Sequence, residues 1–206
     1  MAEPGESGPP GGVREAERAA SAALARSLTL AFSDDPVQRY LFPGERAYQR
    51  RGRANFELLL RRTLEIGRVY AAPGNAGAAL WIPPGGDFAE GWRGGLFVAR
   101  SLLLLRTDAR RGTRFFECLA RHHPREPHWY LPVLGTAPEH QGRGFGSALL
   151  APVLARCDAA GLPAYLESSK EANIPFYRRH GFEVTATLRV PDGPELWPML
   201  RKPRGG

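Results

Sequence analysis

From Ala16 onward, Ala20, Ala23, Leu24, Leu28 and Phe32 recur at steps of three and four residues, which lays one apolar stripe along a helix. The run Ser33, Asp34, Asp35, Pro36 closes it. A second stripe, Phe56, Leu59, Leu60 and Leu64, predicts a helix over residues 46–66 that ends at Gly67 and turns its arginines to water. Residues 13–16 read as a short strand ahead of the first helix. Two brief apolar runs, 68–72 and 78–82, flank the turn-forming set Pro73, Gly74, Asn75, Ala76 and read as a hairpin, ended by Pro83, Pro84, Gly85 and Gly86. Helices over 88–105 and 112–122 follow, the first weakened by Gly91, Gly94 and Gly95. Past Pro124 and Pro127 the pattern predicts a strand over 129–136, a long helix over 147–160, a strand over 164–167 and a short helix over 172–180 stopped by Gly181. Strands over 182–190 and 196–201, joined by 191–194, complete an α/β chain with a mixed sheet.

Composition narrows the class. The chain has 206 residues, 43% hydrophobic and 24% charged, as ordinary globular proteins do. That suits a single domain over 13–206 behind a Gly- and Pro-rich tail, residues 1–12, too polar to order itself. No basic start followed by an apolar run marks a secretory leader, and residues 96–105, interrupted by Arg100, fall far short of the roughly 20 apolar residues that span a bilayer. The expectation is a cytoplasmic protein with no membrane partner. Cys118 and Cys157 are too few for a disulfide framework or a thiolate cage and read as core residues. The 28 basic against 21 acidic residues give a net charge of +7, which reads either as an anionic partner or as the mark of a composition heavy in Arg, Ala, Gly and Pro, with Lys170 and Lys202 the only lysines. The arginines are scattered from Arg14 to Arg204, not clustered among aromatics, so a phosphorylated small molecule answers the charge and no nucleic acid is expected. His122, His123, His128, His140 and His180 show no metal spacing, and no metal is expected.

The strand over 129–136 runs into Gln141, Gly142, Arg143, Gly144, Phe145, Gly146 and Ser147 at the start of the long helix. Cβ-free positions there let backbone N–H groups converge near the positive end of the helix dipole, as a pyrophosphate requires. A P-loop is excluded, because no lysine is near. A dinucleotide fingerprint fits poorly, because Ser147 or Leu149 stands where its third glycine belongs.

Gln141, Gly144 and Gly146, spaced as Gln-x-x-Gly-x-Gly after Pro138, are similar to the acetyl-CoA pyrophosphate loop of the GCN5-related N-acetyltransferases. Ala172-Asn173-Ile174-Pro175-Phe176-Tyr177 and His180-Gly181-Phe182 resemble that family's closing helix and strand. Within the family, His128-Trp129-Tyr130-Leu131, Pro138 to Gly142, Leu166 to Ser169, Val190 to Pro194 and Arg201 to Pro203 are most similar to the branch that acetylates puromycin. The likeness is strong in the second half, weak toward Val13, Phe32, Leu80 and Trp81, and least over 83–121, the part that would wall the acceptor pocket. The resemblance implies a mostly antiparallel mixed sheet, splayed between its middle strands and flanked by helices. It implies transfer of an acetyl group from acetyl-CoA to a primary amine by direct attack in a ternary complex.

By the same resemblance the free edge of Val133, Leu134, Gly135 and Thr136 pairs with pantetheine, and the backbone from Gln141 to Ser147 cradles the pyrophosphate. Pro132 in that strand lacks a ladder donor and fits a splay or bulge. Arg143 reads either as a phosphate contact or as a solvated arginine. Tyr177 matches the tyrosine that protonates the departing thiolate, with Phe176 beside it; packing with Phe176 is the other reading. Asn173 reads as a pantetheine partner or an N-cap. Glu167, ending a short apolar strand, reads as the base that takes a proton from the substrate ammonium, directly or through water, or as a surface carboxylate or salt-bridge partner. Trp81, Asp34 and Asp35 are candidates for holding a cationic or aromatic acceptor, with core packing as the other reading of Trp81. The leading expectation is a small-molecule N-acetyltransferase, monomer or homodimer; a protein-amine acetyltransferase and a non-catalytic CoA-binding module are the alternatives.

Overall fold

The structure is a computed structural model that describes residues 12–105 and 109–205. Apart from Gly12, the expected tail lies outside the described residues. Two short N-terminal elements, β1 (Arg14–Glu15) and α1 (Ser21–Ala31), lead to α2 (Pro36–Leu41), α3 (Glu45–Ala47) and α4 (Arg53–Ile66). The hairpin β2 (Arg68–Ala71) and β3 (Gly77–Ile82) comes next, then α5 (Gly91–Leu105) and α6 (Ala109–His122). The second half runs β4 (Trp129–Thr136), α7 (Phe145–Ala160), β5 (Ala164–Ser168), α8 (Ile174–Arg179), β6 (Glu183–Val184), β7 (Leu188–Arg189) and β8 (Glu195–Arg201).

The strands lie in the order β1-β2-β3-β4-β5-β8-β6, with β7 also on β8. All pairs are antiparallel except β4 with β5 in the middle. Helices cover both faces. Leu149, Leu150 and Val153 of α7 and Ile174 and Tyr177 of α8 pack with Leu131, Leu166 and Met199 on one side. Leu24 and Leu28 of α1 and Phe56 and Leu60 of α4 pack with Val69, Leu80 and Val133 on the other. A third cluster joins Val37, Leu41 and Phe42 to Leu105, Phe115, Leu188 and Leu196.

Pro132 sits at a break in the β3–β4 register: Leu80 opposes Val133 but Ile82 opposes Tyr130, so β4 carries one extra residue. A residue without an N–H is tolerated at such a bulge, and the extra residue inverts the alternation of faces. Leu131 therefore packs against α7 while Val133 packs against α1 and α4.

Three elements differ from the pattern along the chain. The helix over 46–66 contains a π-helical turn at Tyr48–Gly52, where the Tyr48 ring lies so close over Gly52 that a Cβ there would stand 2.8 Å from it. Helix α2 follows directly where Pro36 reads as a stop: Asp35 Oδ1 accepts from the Gln38 N–H at 2.9 Å, and Pro36 takes the first helical position. The strand over 182–190 is broken into β6 and β7. Thr185 donates to the Pro198 carbonyl at 2.9 Å, and Pro198 has no N–H to complete the ladder.

Arg201, with its side chain only 3% exposed, ties the end of the sheet to α7. Its two terminal nitrogens each donate to an Asp158 oxygen at 2.8 Å, and its Nε donates to the His180 carbonyl at 3.0 Å. Those hydrogen bonds hold the Asp158 carboxyl below its ordinary value. Asp158→Ala leaves a buried guanidinium without its partner, so chemical denaturation is expected to read a loss of about 3 kcal/mol. Because the folded-state value is depressed, the pair's contribution is full above the ordinary carboxylate value and is lost as pH falls through the depressed one. The stability gap between the wild type and Asp158→Asn should close over that acid range.

Candidate active site

β4 and β5 pair only at Trp129 with Ala164 and Tyr130 with Tyr165. Both strands continue, to Thr136 and Ser168, with no further pairing between them, and the sheet opens into a wedge. Which backbone groups face the wedge follows from alternation along β4. Ala137 donates to the Ala76 carbonyl on the β3 side at 2.8 Å, so Gly135 and Val133 also turn their amides to β3. The backbone of Leu134 and Thr136 faces the wedge, and the Thr136 carbonyl accepts from Gln141 Nε2 at 3.1 Å. The free edge is thus narrower than the four residues expected from sequence: Val133 and Gly135 are committed to the ladder. Gly135 serves a different purpose, since a Cβ there would lie 2.6 Å from the Phe32 ring on the α1 side.

At the mouth of the wedge, Gly142 and Gly144 have φ of 76° and 79°, the left-handed region that glycine adopts without strain. Gly144 is the N-cap of α7, and no side chain caps the helix, so its first amides stay open to a ligand. Nothing lies within 4 Å of a Cβ built on either glycine, whereas at Gly146 the Phe176 ring would be 3.0 Å away. Ser147 Oγ is 3.0 Å from His180 Nε2, which joins the start of α7 to the end of α8. Burial, and then the charges of Arg179, Arg204 and Arg201, hold the His180 imidazole below its ordinary value. Arg143 is exposed beside this positive rim. The arrangement fits an extended, pyrophosphate-bearing cosubstrate.

Tyr177 is buried on the α7 face of the sheet, edge-on to Phe176 at 5.1 Å and to Phe182 at 6.0 Å. Burial, and then the negative charge of Asp35, push its phenol well above 10, so it carries its proton throughout the physiological range. Asn173 is at the N-cap position of α8 but makes no capping bond and is exposed, which leaves its amide for a ligand.

Glu167 belongs to the other face. Ala164 and Leu166 pack toward α7, so Tyr165 and Glu167 point away. The Glu167 side chain is 4% exposed, its Oε1 has no hydrogen-bond partner, and His123 Nδ1 is 3.8 Å from that oxygen. It is no surface carboxylate. Burial, and then the Glu167 charge, push the Tyr130 and Tyr165 phenols upward, which puts both beside it.

The acceptor candidates need correction. Trp81 does not face a substrate site: it is 0% exposed in the core under α7, because every residue of β3 is buried. Asp35 is 2% exposed, with Oδ1 capping α2 and Oδ2 accepting from Ser169 Oγ. Asp34 is exposed and pairs with Lys170 Nζ. Both aspartates fasten the α1–α2 junction to the end of β5. The residues that gather around Glu167, namely His123, His128, Tyr130 and Tyr165, carry no motif. Their one signal is the step of two from Tyr165 to Glu167, which puts both on one face of a strand. Among the described residues no group of three His, Cys, Asp or Glu is arranged to hold a metal, and no helix is long and apolar enough to cross a membrane.

The sequence pattern of the Acetyltransferase (GNAT) family matches residues 103–182. An uncharacterized N-acetyltransferase of Schizosaccharomyces pombe is 31% identical over 194 residues, covering 87% of this chain and 78% of the relative. The solved structure of a histone acetyltransferase HPA2 and related acetyltransferase from Corynebacterium glutamicum superimposes with a TM-score of 0.72 at 27% identity, over 94% of this chain and 97% of that one. Arylalkylamine N-acetyltransferase 2 from Aedes aegypti shares the fold, with a TM-score of 0.60 at 14% identity over 93% of this chain and 98% of that one. With its splayed sheet and open glycine cradle, the chain belongs to the GNAT family and is an acetyl-CoA-dependent N-acetyltransferase.

Proposed function

We propose that the acceptor is the primary amine of a small molecule, with Glu167 as its base and Tyr177 as the acid for the departing thiolate. The observation that carries this reading is the disposition of the two groups about the wedge: a buried phenol on one face of the sheet and, on the other, a buried carboxylate whose Oε1 has no hydrogen-bond partner. The cosubstrate lies along the α7 and α8 side, with its pyrophosphate on the amides that follow Gly144 and its pantetheine arm on Leu134, Thr136 and Asn173. The amine comes from the opposite face. A free backbone amide of β4 steadies the charge that builds on the thioester oxygen. Glu167 takes one proton from the ammonium, Tyr177 gives one to sulfur as the C–S bond breaks, and the second proton lost by the attacking nitrogen restores the phenol; a phenol held well above 10 protonates a thiolate only in concert with that cleavage.

A narrow acceptor supports the small-molecule reading. Glu167 is enclosed by Tyr130, Tyr165 and His123, and the end of β5 is tied across to the α1–α2 junction through Ser169 with Asp35 and Lys170 with Asp34. Puromycin is one member of this class, supported by the C-terminal likeness alone. A protein-amine acceptor is the second reading, favoured by the name of the Corynebacterium structure at 27% identity.

A thiol-release assay with puromycin, simple aromatic amines and basic peptides separates the two. Turnover of the amines and not the peptides is expected, and peptide turnover alone would reverse the assignment. Tyr177→Phe and Glu167→Gln should each lower kcat about 100-fold or more while the acetyl-CoA Kd stays within twofold; unchanged rates would remove them from the chemistry. Gly144→Ala puts a Cβ on a left-handed residue at a cost of about 1–2 kcal/mol. If that strain is relieved by shifting the cradle amides, acetyl-CoA Kd measured by calorimetry rises roughly tenfold.

A further inference from the structure

The transfer releases one proton to water for each ammonium acetylated at neutral pH, yet the carboxylate assigned to collect that proton is almost wholly buried. An exit is needed, and the hydrogen bonds around Glu167 specify one. His128 Nδ1 is 2.8 Å from the Glu126 carbonyl, which only accepts, so that nitrogen carries the hydrogen. Burial keeps the His128 ring below its ordinary value, hence neutral, with a bare Nε2. His123 Nε2 lies 3.0 Å from this bare nitrogen and must be the donor. The neutral His123 ring is left with its lone pair on Nδ1, the atom 3.8 Å from Glu167 Oε1. Ring packing holds it there: Tyr130 and Tyr165 meet His123 edge-on at 4.8 and 5.1 Å, at 89° and 81°. The ring is also 35% exposed, so it touches water on its other side.

We infer that His123 is the proton outlet of Glu167, with His128 fixing the tautomer that lets it act. This rests on Glu167 being the base. The carboxylate takes a proton from the ammonium nitrogen, which keeps the N–H bonding pair for attack on the thioester carbon. The carboxylic acid passes that proton to the bare Nδ1, and the resulting imidazolium yields it to water, which restores both groups. The distance of 3.8 Å is beyond a direct hydrogen bond and within one bridging water or a small rotation. The groups that face the pair are Tyr130 from β4, Tyr165 from β5, and His128 and Glu126 from the loop before β4. Burial, and then the Glu167 charge, push both phenols upward, so neither tyrosine gives up its proton in place of the histidine. His123 is a positioning and relay residue and does not touch the acceptor.

The test uses the full chain labelled with 15N-histidine. Nitrogen shifts at high pH should show His123 with a bare Nδ1 and His128 with a bare Nε2, and Glu167→Gln should lower the His123 titration midpoint. The opposite His123 tautomer, or a midpoint indifferent to Glu167→Gln, would overturn the relay. In the thiol-release assay His123→Phe, which keeps the ring packing, should lower kcat about tenfold or more, leave the acceptor KM and acetyl-CoA Kd within twofold, and regain rate with added imidazole. His123→Asn serves if the phenylalanine variant does not fold. Full kcat and an unchanged pH profile in both variants, with Glu167→Gln inactive, would sink the outlet and leave the base standing. A fully active Glu167→Gln would remove the base and the outlet together.

Discussion

Backbone groups taken from water must find partners, and beyond Tyr130 and Tyr165 those on the facing edges of β4 and β5 do not find them in each other. Much of the remaining architecture follows from this. Parallel strands need a long crossover, and the one used here starts with the glycine turn and α7, so the open edge and the anion cradle come from one stretch of chain. Pro132 sits at the bulge, whose extra residue swings Val133 toward α1 and α4 and leaves Leu134 and Thr136 along the opening. In the proposed reading, the open edge gives the cosubstrate a surface to pair with, and the missing ladder lets groups on both faces of the sheet reach the reacting atoms.

Local chemistry made the second half of the chain readable. The strand over Trp129–Thr136, the glycine turn and the helix that ends at Gly161 are each set by residues close in sequence, and they stand where the pattern puts them. Trp81 misled for a physical reason. All six residues of β3 are buried, so nothing in that strand tells one face from the other. Pro36 is ambiguous in itself, since a residue that ends one helix also starts the next, and only Asp35 bonding the Gln38 amide decides it. The surroundings of Glu167 were beyond local reading because they come from the end of α6, the loop after it, β4 and β5. The bulge further hides which of those side chains share a face.

The two faces of the wedge differ in how they are held. On the α7 and α8 face the restraints include polar ones: Ser147 with His180 at the start of α7, and Arg201 with Asp158 and the His180 carbonyl toward its end. On the face that carries Glu167 they are aromatic, with His123 edge-on to Tyr130 and Tyr165, His128 edge-on to Tyr165, and the two imidazoles tilted at 54°.

Asp35 has both oxygens engaged, one capping α2 and one holding Ser169, and its charge still bears on Tyr177. A fixed anion near a phenol opposes loss of its proton for as long as the surroundings are otherwise neutral. Asp35 thus ties the α1–α2 junction to the end of β5 and also helps keep the Tyr177 phenol protonated, so a change at this one aspartate reaches both the fold and the phenol.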